Sequence, residues 1–114
     1  MTSGIIAAAV EVEKHLGAGF REIIYQRALV HELPAHGLEF SREVWIDVFY
    51  KGERLGGQRV DFVVEDCLVQ IKAKAVLDEA DFVQTLSYLK ASGYKVGLLL
   101  NFGAKKLEIK RVVN

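Results

Sequence analysis

The sequence predicts a single domain of mixed α/β (α+β) class, and three observations carry that prediction. The 114 residues are 51% hydrophobic and 26% charged, the balance of one globular domain, 1–114, with its own core. The hydrophobic period is helical up to Pro34, alternates from Arg42 to Tyr50, and becomes helical again after Asp78. The run from Tyr94 to Asn101 is nearly all apolar, as expected of a strand buried on both faces.

Each element follows from local pattern. Ile5, Ile6, Ala9, Val12 and Leu16 recur at helical spacing, with Thr2 or Ser3 as cap and Gly17 as stop. A second helix is predicted after Gly19, ending near His36-Gly37, with Pro34 shortening or kinking its last turn. Val44, Ile46, Val48 and Tyr50 then alternate with Glu43, Trp45, Asp47 and Phe49, a strand over 42–50. Lys51-Gly52-Glu53 reads as a turn, 58–64 as a second strand, Glu65-Asp66 as a tight connection and 67–73 as a third strand. Gly56 and Gly57 suit turns as well. Asp78 can cap a helix to Ser92 whose core side holds Phe82, Val83, Leu86 and Leu89, stopped by Gly93. Residues 107–113 can add a last strand. The predicted order is α-α-β-β-β-α-β-β.

Composition removes several function classes. Fifteen basic residues match fifteen acidic ones, which excludes a polybasic-tail mode of binding but not a local basic stripe. From Leu86 onward Lys90, Lys95, Lys105, Lys106, Lys110 and Arg111 face Glu108 alone, a net charge of +5 that suits a phosphate backbone. Cys67, the single cysteine, excludes an internal disulfide and a multi-cysteine zinc site, and it reads as a buried or strand-edge thiol. His15, His31 and His36 lack metal-ligand spacing. No apolar run reaches the ~18 residues of a membrane span. No leader is predicted at Met1-Thr2-Ser3-Gly4, and the expected location is the cytoplasm.

The chemistry-bearing pattern is Asp61 with Gln70 and Lys72. If Glu65-Asp66 is a two-residue hairpin loop, Val64 pairs with Cys67, Phe62 with Val69, and Asp61 with Gln70, their Cβ atoms about 5 Å apart. Lys72 then points the same way, while Val60, Phe62, Val69 and Ile71 build core on the other face. A carboxylate and an amide oxygen suit a hard divalent cation, and an adjacent ammonium suits a phosphodiester. The spacing alone equally suits an Asp–Lys pair on a solvated sheet face. Glu22 and Tyr25 share a helix face, as do Gln84 and Tyr88. Glu22 also suits a helix start, and Gln84 with Tyr88 also suits a solvated helix edge.

Gly19-x-x-Glu22-x-x-Tyr25, the stretch from Asp61 to Lys72, the run QTLSYLKASG from Gln84 and the run LLLNF from Leu98 together resemble the GxxExxY proteins. That family is grouped with the PD-(D/E)XK nuclease superfamily, and the resemblance covers almost the whole chain. It implies a restriction-endonuclease-like αβββαβ core, here with an extra N-terminal helix and a C-terminal strand. It implies catalytic roles for Glu22, Asp61, Gln70, Lys72 and Gln84, with Asp61, Gln70 and Glu22 holding Mg²⁺ (or Mn²⁺). Tyr88 and Lys90 would contact substrate. Most relatives carry Glu in a Glu-Leu-Lys run where this chain has Gln70-Ile71-Lys72, and an amide lacks the negative charge that favours Mg²⁺. Some restriction-type branches of the superfamily also use Gln there.

Two functions compete. One is a Mg²⁺-dependent nuclease acting on nucleic acid, DNA rather than RNA, and a homodimer would suit cutting both strands. The other is a catalytically weakened nucleic-acid-binding module on the same fold. A third use, an assembly contact, rests on Trp45 and Phe49, which lie on the charged face of the first strand and are expected to be covered by the flanking helices.

Overall fold

The structure, a computed structural model, describes residues 2–114. Its elements are α1 (Ser3–Leu16), α2 (Glu22–Ala35), β1 (Phe40–Tyr50), β2 (Glu53–Val64), β3 (Cys67–Lys72), α3 (Glu79–Ser92), β4 (Val96–Asn101) and β5 (Glu108–Val113), in the predicted order. The five strands form one sheet in the order β1-β2-β3-β4-β5. Only β3 and β4 are parallel, joined by the α3 crossover; the other neighbours are antiparallel. The segment from α2 to β4 is the αβββαβ core, with α1 before it and β5 after it.

Two apolar clusters sandwich the sheet. On one face α1 and α2 bury Ile5, Ala9, Val12, Tyr25 and Leu29 against Phe62, Val69, Ile71, Leu98 and Leu100. On the other face α3 buries Leu89 against Val63, Leu68, Leu99 and Val112. All six residues of β4 are buried, because β4 lies between two paired neighbours and between both helical layers.

The ends of the elements show where local rules hold. Asp78 caps α3 with a full capping box, its side chain accepting from the Asp81 N–H at 3.2 Å while Asp81 accepts from the Asp78 N–H at 3.0 Å. Gly93 ends α3 at φ +83°. Neither Thr2 nor Ser3 caps α1 with a side chain; Thr2 contributes its carbonyl to the Ile6 N–H instead. Pro34 sits inside the last turn of α2 without stopping it, and α2 runs to Ala35. Val83, expected in the core, is 52% exposed, because the inward stripe of α3 runs through Asp81, Thr85 and Leu89.

The β1–β2 hairpin departs most from expectation. It begins at Phe40 and β2 at Glu53, both earlier than predicted, with Lys51 and Gly52 forming the two-residue turn at φ +49° and +84°. Gly56 and Gly57 therefore lie within β2, not in turns. At Gly57 the Trp45 ring lies so close that a Cβ would come within 2.4 Å of it. Trp45 and Phe49 are not covered by helices: they are 51% and 61% exposed, and Tyr50 and Leu55 are 60% and 65% exposed.

A second departure concerns Val60. It is buried, but in the α3 cluster, whereas Phe62 belongs to the α1–α2 cluster. The β1–β2 ladder passes from Arg42–Phe62 to Val44–Val60 without a Glu43–Asp61 pair, and Glu43 has φ +55°. At that point both strands reverse which layer they face. Phe40 packs into the first core, whereas Val44 and Ile46 pack into the second.

A candidate active site at the base of the hairpin

Asp61 sits at this reversal, where the β2–β3 ladder also ends. The predicted pairs Val64–Cys67, Val63–Leu68 and Phe62–Val69 all form, but Asp61 and Gln70 are not a ladder pair. They are joined by crossed bonds instead. The Asp61 N–H donates to Gln70 Oε1 at 3.0 Å, and the Ile71 N–H donates to Asp61 Oδ2 at 2.7 Å. Each side chain thus accepts a backbone bond that the sheet would otherwise supply. Gln70, on β3 beside Leu99 of β4, is only 6% exposed.

Lys72 closes β3. Its Nζ donates to Gln84 Oε1 at 3.3 Å and lies 3.9 Å from Asp81 Oδ1. Glu22 approaches from the first turn of α2, its Oε1 accepting from Gln26 Nε2 at 3.4 Å. Burial raises the Glu22 pKa, and the Asp61 charge raises it further against the opposing Lys72 charge and Gln26 bond. Burial likewise raises the Asp61 pKa, opposed by the Ile71 N–H and the charges of Lys72 and Arg42, with Glu43 pushing upward. Tyr88, half-buried on α3, is raised by burial and by the Asp61 charge. Glu22, Asp61, Gln70, Lys72, Gln84 and Tyr88 therefore share one neighbourhood, drawn from α2, β2, β3 and α3. Lys90 does not join them; it lines a shallow groove with Val48, Phe49, Ser87 and Ala91.

Tyr25 has a scaffolding position. It is fully buried and stacked on Phe102 at 4.7 Å, and its hydroxyl donates to the Gly17 carbonyl at 2.6 Å and accepts from the Phe20 N–H at 3.2 Å. It pins the loop from which α2 presents Glu22. Cys67 is buried, and burial raises its thiol to about 11, so it is protonated and unreactive at neutral pH. His15 and His36 bond to Glu11 and Glu32 one turn away on their own helices.

Four polar residues next to the site are not singled out by the sequence pattern. Gln26 is buried and links Glu22 to Arg42, whose Nη2 donates to Gln26 Oε1 at 3.4 Å. The i,i+4 spacing of Glu22 and Gln26 is a usable signal for that pair. Asp81 is buried beside Lys72 and accepts from Lys74 Nζ at 2.8 Å. Burial works to raise its pKa, but the bonds from Lys74 and the Asp78 N–H, with the charges of Lys74 and Lys72, leave it lowered. Asn101, fully buried, accepts from the Lys74 N–H at 3.0 Å and donates to the Lys74 carbonyl at 2.9 Å and to Glu108 at 2.8 Å. A single amide at the end of an apolar strand is its signal, and it fixes the chain just after Lys72.

Among the described residues, no group of three or more His, Cys, Asp or Glu side chains is placed to hold a metal ion. Glu22 and Asp61 bring two carboxylates to the site and Gln70 an amide oxygen. That hard donor set fits Mg²⁺ or Mn²⁺ in kind. Burial is the first cause of the upward pKa shift of both carboxylates, and for Glu22 the Asp61 charge adds to it.

A family model for the PD-(D/E)XK nuclease superfamily matches residues 1–112. Among solved structures, the crystal structure of SSO0001 is similar, with a TM-score of 0.60 and 15% identity over 81% of this chain and 49% of that one. The chain thus spans about half the length of that protein, and the likeness is one of fold. No curated protein matches the chain.

Proposed function

The chain belongs to the PD-(D/E)XK nuclease superfamily, and from that premise we propose that it hydrolyses phosphodiester bonds in nucleic acid, DNA rather than RNA, with a bound Mg²⁺ or Mn²⁺. The observation that carries the proposal is the crossed pair of bonds that sets Asp61 against Gln70 beside Lys72, with Glu22 inside the same charge field. Asp61, Gln70 and Glu22 would hold the cation. When bound, such an ion supplies Lewis acidity toward a phosphate oxygen and makes water more acidic. The protein's own part is positioning and charge. Lys72, steadied by Gln84 and Asp81, places an ammonium where negative charge gathers on the attacked phosphate. The Tyr88 hydroxyl lines the edge of the site. Lys90 and the exposed cations Lys105, Lys106, Lys110 and Arg111 would engage the backbone farther out.

Gln70 gives the second reading its basis. With only two carboxylates at the site, cation affinity is lower than a third carboxylate would allow, which suits a weakened module that binds nucleic acid without cutting it. Labelled DNA and RNA incubated with Mg²⁺, Mn²⁺ or EDTA separate the two. Cleavage that needs metal and is lost in Asp61→Ala identifies a nuclease. Cleavage only in Gln70→Glu identifies a decayed site, and chelator-indifferent binding with no cleavage by either protein identifies the binding module. We further propose a cytoplasmic protein that self-associates through the exposed Trp45 and Phe49. Light scattering that finds a monomer at high concentration removes the latter idea.

A further inference from the structure

Glu22 stands on the first turn of α2 with much of its side chain exposed and its carboxylate only partly desolvated, and free glutamate rotamers cost about 1.5–2 kcal/mol to immobilise. A carboxylate meant to act beside Asp61 has to be held there. One turn along α2, Gln26 is 8% exposed and donates its Nε2 to Glu22 Oε1 at 3.4 Å. From β1, the Arg42 Nη2 donates to Gln26 Oε1 at 3.4 Å. Arginine has donors only, so its contact obliges the Gln26 amide to turn its oxygen toward β1 and its NH₂ toward Glu22.

We propose that Arg42 and Gln26 are positioning residues, a directional relay that holds the Glu22 carboxylate toward Asp61. The inference rests on the reading of Glu22 as a cation-holding group. Two further observations favour it. Arg42 Nε is buried without a hydrogen-bond partner among the described residues, so the hydrogen bond its guanidinium makes there is the one from Nη2 to Gln26. The guanidinium also lies 6.0 Å over the Phe62 ring, immediately before the reversal at Glu43 that takes Asp61 out of the ladder. Arg42 thus faces α2 together with Phe40 by ordinary strand alternation, and the reversal that follows it takes Asp61 out of the ladder.

The test uses the full chain and two readouts. In metal-free protein, ¹³C relaxation of the Glu22 side chain reports its order. Order is expected in the wild type, lost in Arg42→Met and Gln26→Met, and restored in Arg42→Lys, which keeps a donor. Calorimetric titration with Mn²⁺ should show the dissociation constant rising about tenfold in Arg42→Met and in Gln26→Met, and staying near the wild-type value in Arg42→Lys. The double variant should be no worse than either single one, because both break the same chain. A Glu22 that is mobile in the wild type, or equally ordered in every variant, overturns the relay, as do additive losses in the double variant. If the wild type binds no Mn²⁺ while Glu22 order still depends on Arg42, the cation reading fails and the relay stands.

Discussion

At the base of the β1–β2 hairpin Asp61 is folded into the sheet by bonds to Gln70 and Ile71, whereas at the tip Phe49, Tyr50 and Leu55 stand 61%, 60% and 65% exposed. The base places polar groups where apolar ones would be more stable, and the tip places apolar groups where polar ones would be more soluble. Both are departures from the inside–outside rule within one hairpin. At the base the cost is offset by hydrogen bonds, and the arrangement has a chemical use. At the tip Lys51 lies 5.4 Å over the Tyr50 ring and Phe49 lines a groove with Ser87 and Ala91, yet most of the apolar surface stays open to contact with something else.

The largest expected effect tests the base. Asp61→Asn keeps an acceptor for the Ile71 N–H but removes the charge, and metal-dependent cleavage should fall by about 10³-fold or more, near 4 kcal/mol of barrier. Single-turnover rates check this, and retained cleavage would break the assignment of the base to chemistry. Next comes a direct contrast of the same residue type at the two ends. Phe62 is fully buried and Phe49 is 61% exposed. Phe62→Ala should cost about 3–5 kcal/mol and Phe49→Ala no more than about 0.5 kcal/mol, read from denaturant midpoints. A large loss at Phe49 would show that the tip is part of the folding unit after all.

A smaller effect concerns pH. Burial raises the Asp61 pKa above its ordinary value of 3.8, so the folded state holds that proton more tightly than the unfolded chain. The stability tied to that proton is complete below 3.8 and is lost as pH rises through the raised folded value. Asp61→Asn should therefore match the wild type in acid and exceed it in stability at neutral pH. Comparing the two proteins across pH cancels the contribution of Asp81, whose lowered pKa acts in the opposite sense. A gap that shrinks toward neutral pH would contradict the sign. The smallest effect is at Gly57, where an added methyl must displace the exposed Trp45 ring. Gly57→Ala should shift the fluorescence of this single tryptophan while moving stability by less than about 0.5 kcal/mol.

Much of the molecule is legible in the chain because it depends on neighbours in sequence. Glu65-Asp66 set the β2–β3 register, so counting back from that turn gives Val64–Cys67, Val63–Leu68 and Phe62–Val69, while the predicted Asp61–Gln70 pair is replaced by side-chain-to-backbone bonds. Asp78 as cap and Gly93 as stop are one-turn effects that propensity and capping rules capture. The gathering of Glu22 and Gln84 with the β2–β3 residues is implied only by the family resemblance, since elements so far apart in sequence carry no local signal of contact. Val83 departs from its expected place because the apolar pattern of α3 is weak, and the inward stripe there contains Asp81 and Thr85.

The sequence by itself determined the order of the elements, the Asp78 cap and Gly93 stop of α3, the Glu65-Asp66 turn and the pairing from Phe62–Val69 to Val64–Cys67. These are short-range consequences of backbone dihedrals, side-chain alternation and hydrogen bonds that close within a few residues. Tertiary structure alone decided the reversal at Glu43, the move of Val60 to the α3 core, the exposure of Trp45 and Phe49, and the meeting of Arg42 with Gln26. A glutamate at positive φ is not foretold by its residue type; it marks the point where β1 passes from facing the α1–α2 core at Phe40 to facing the α3 core at Val44 and Ile46.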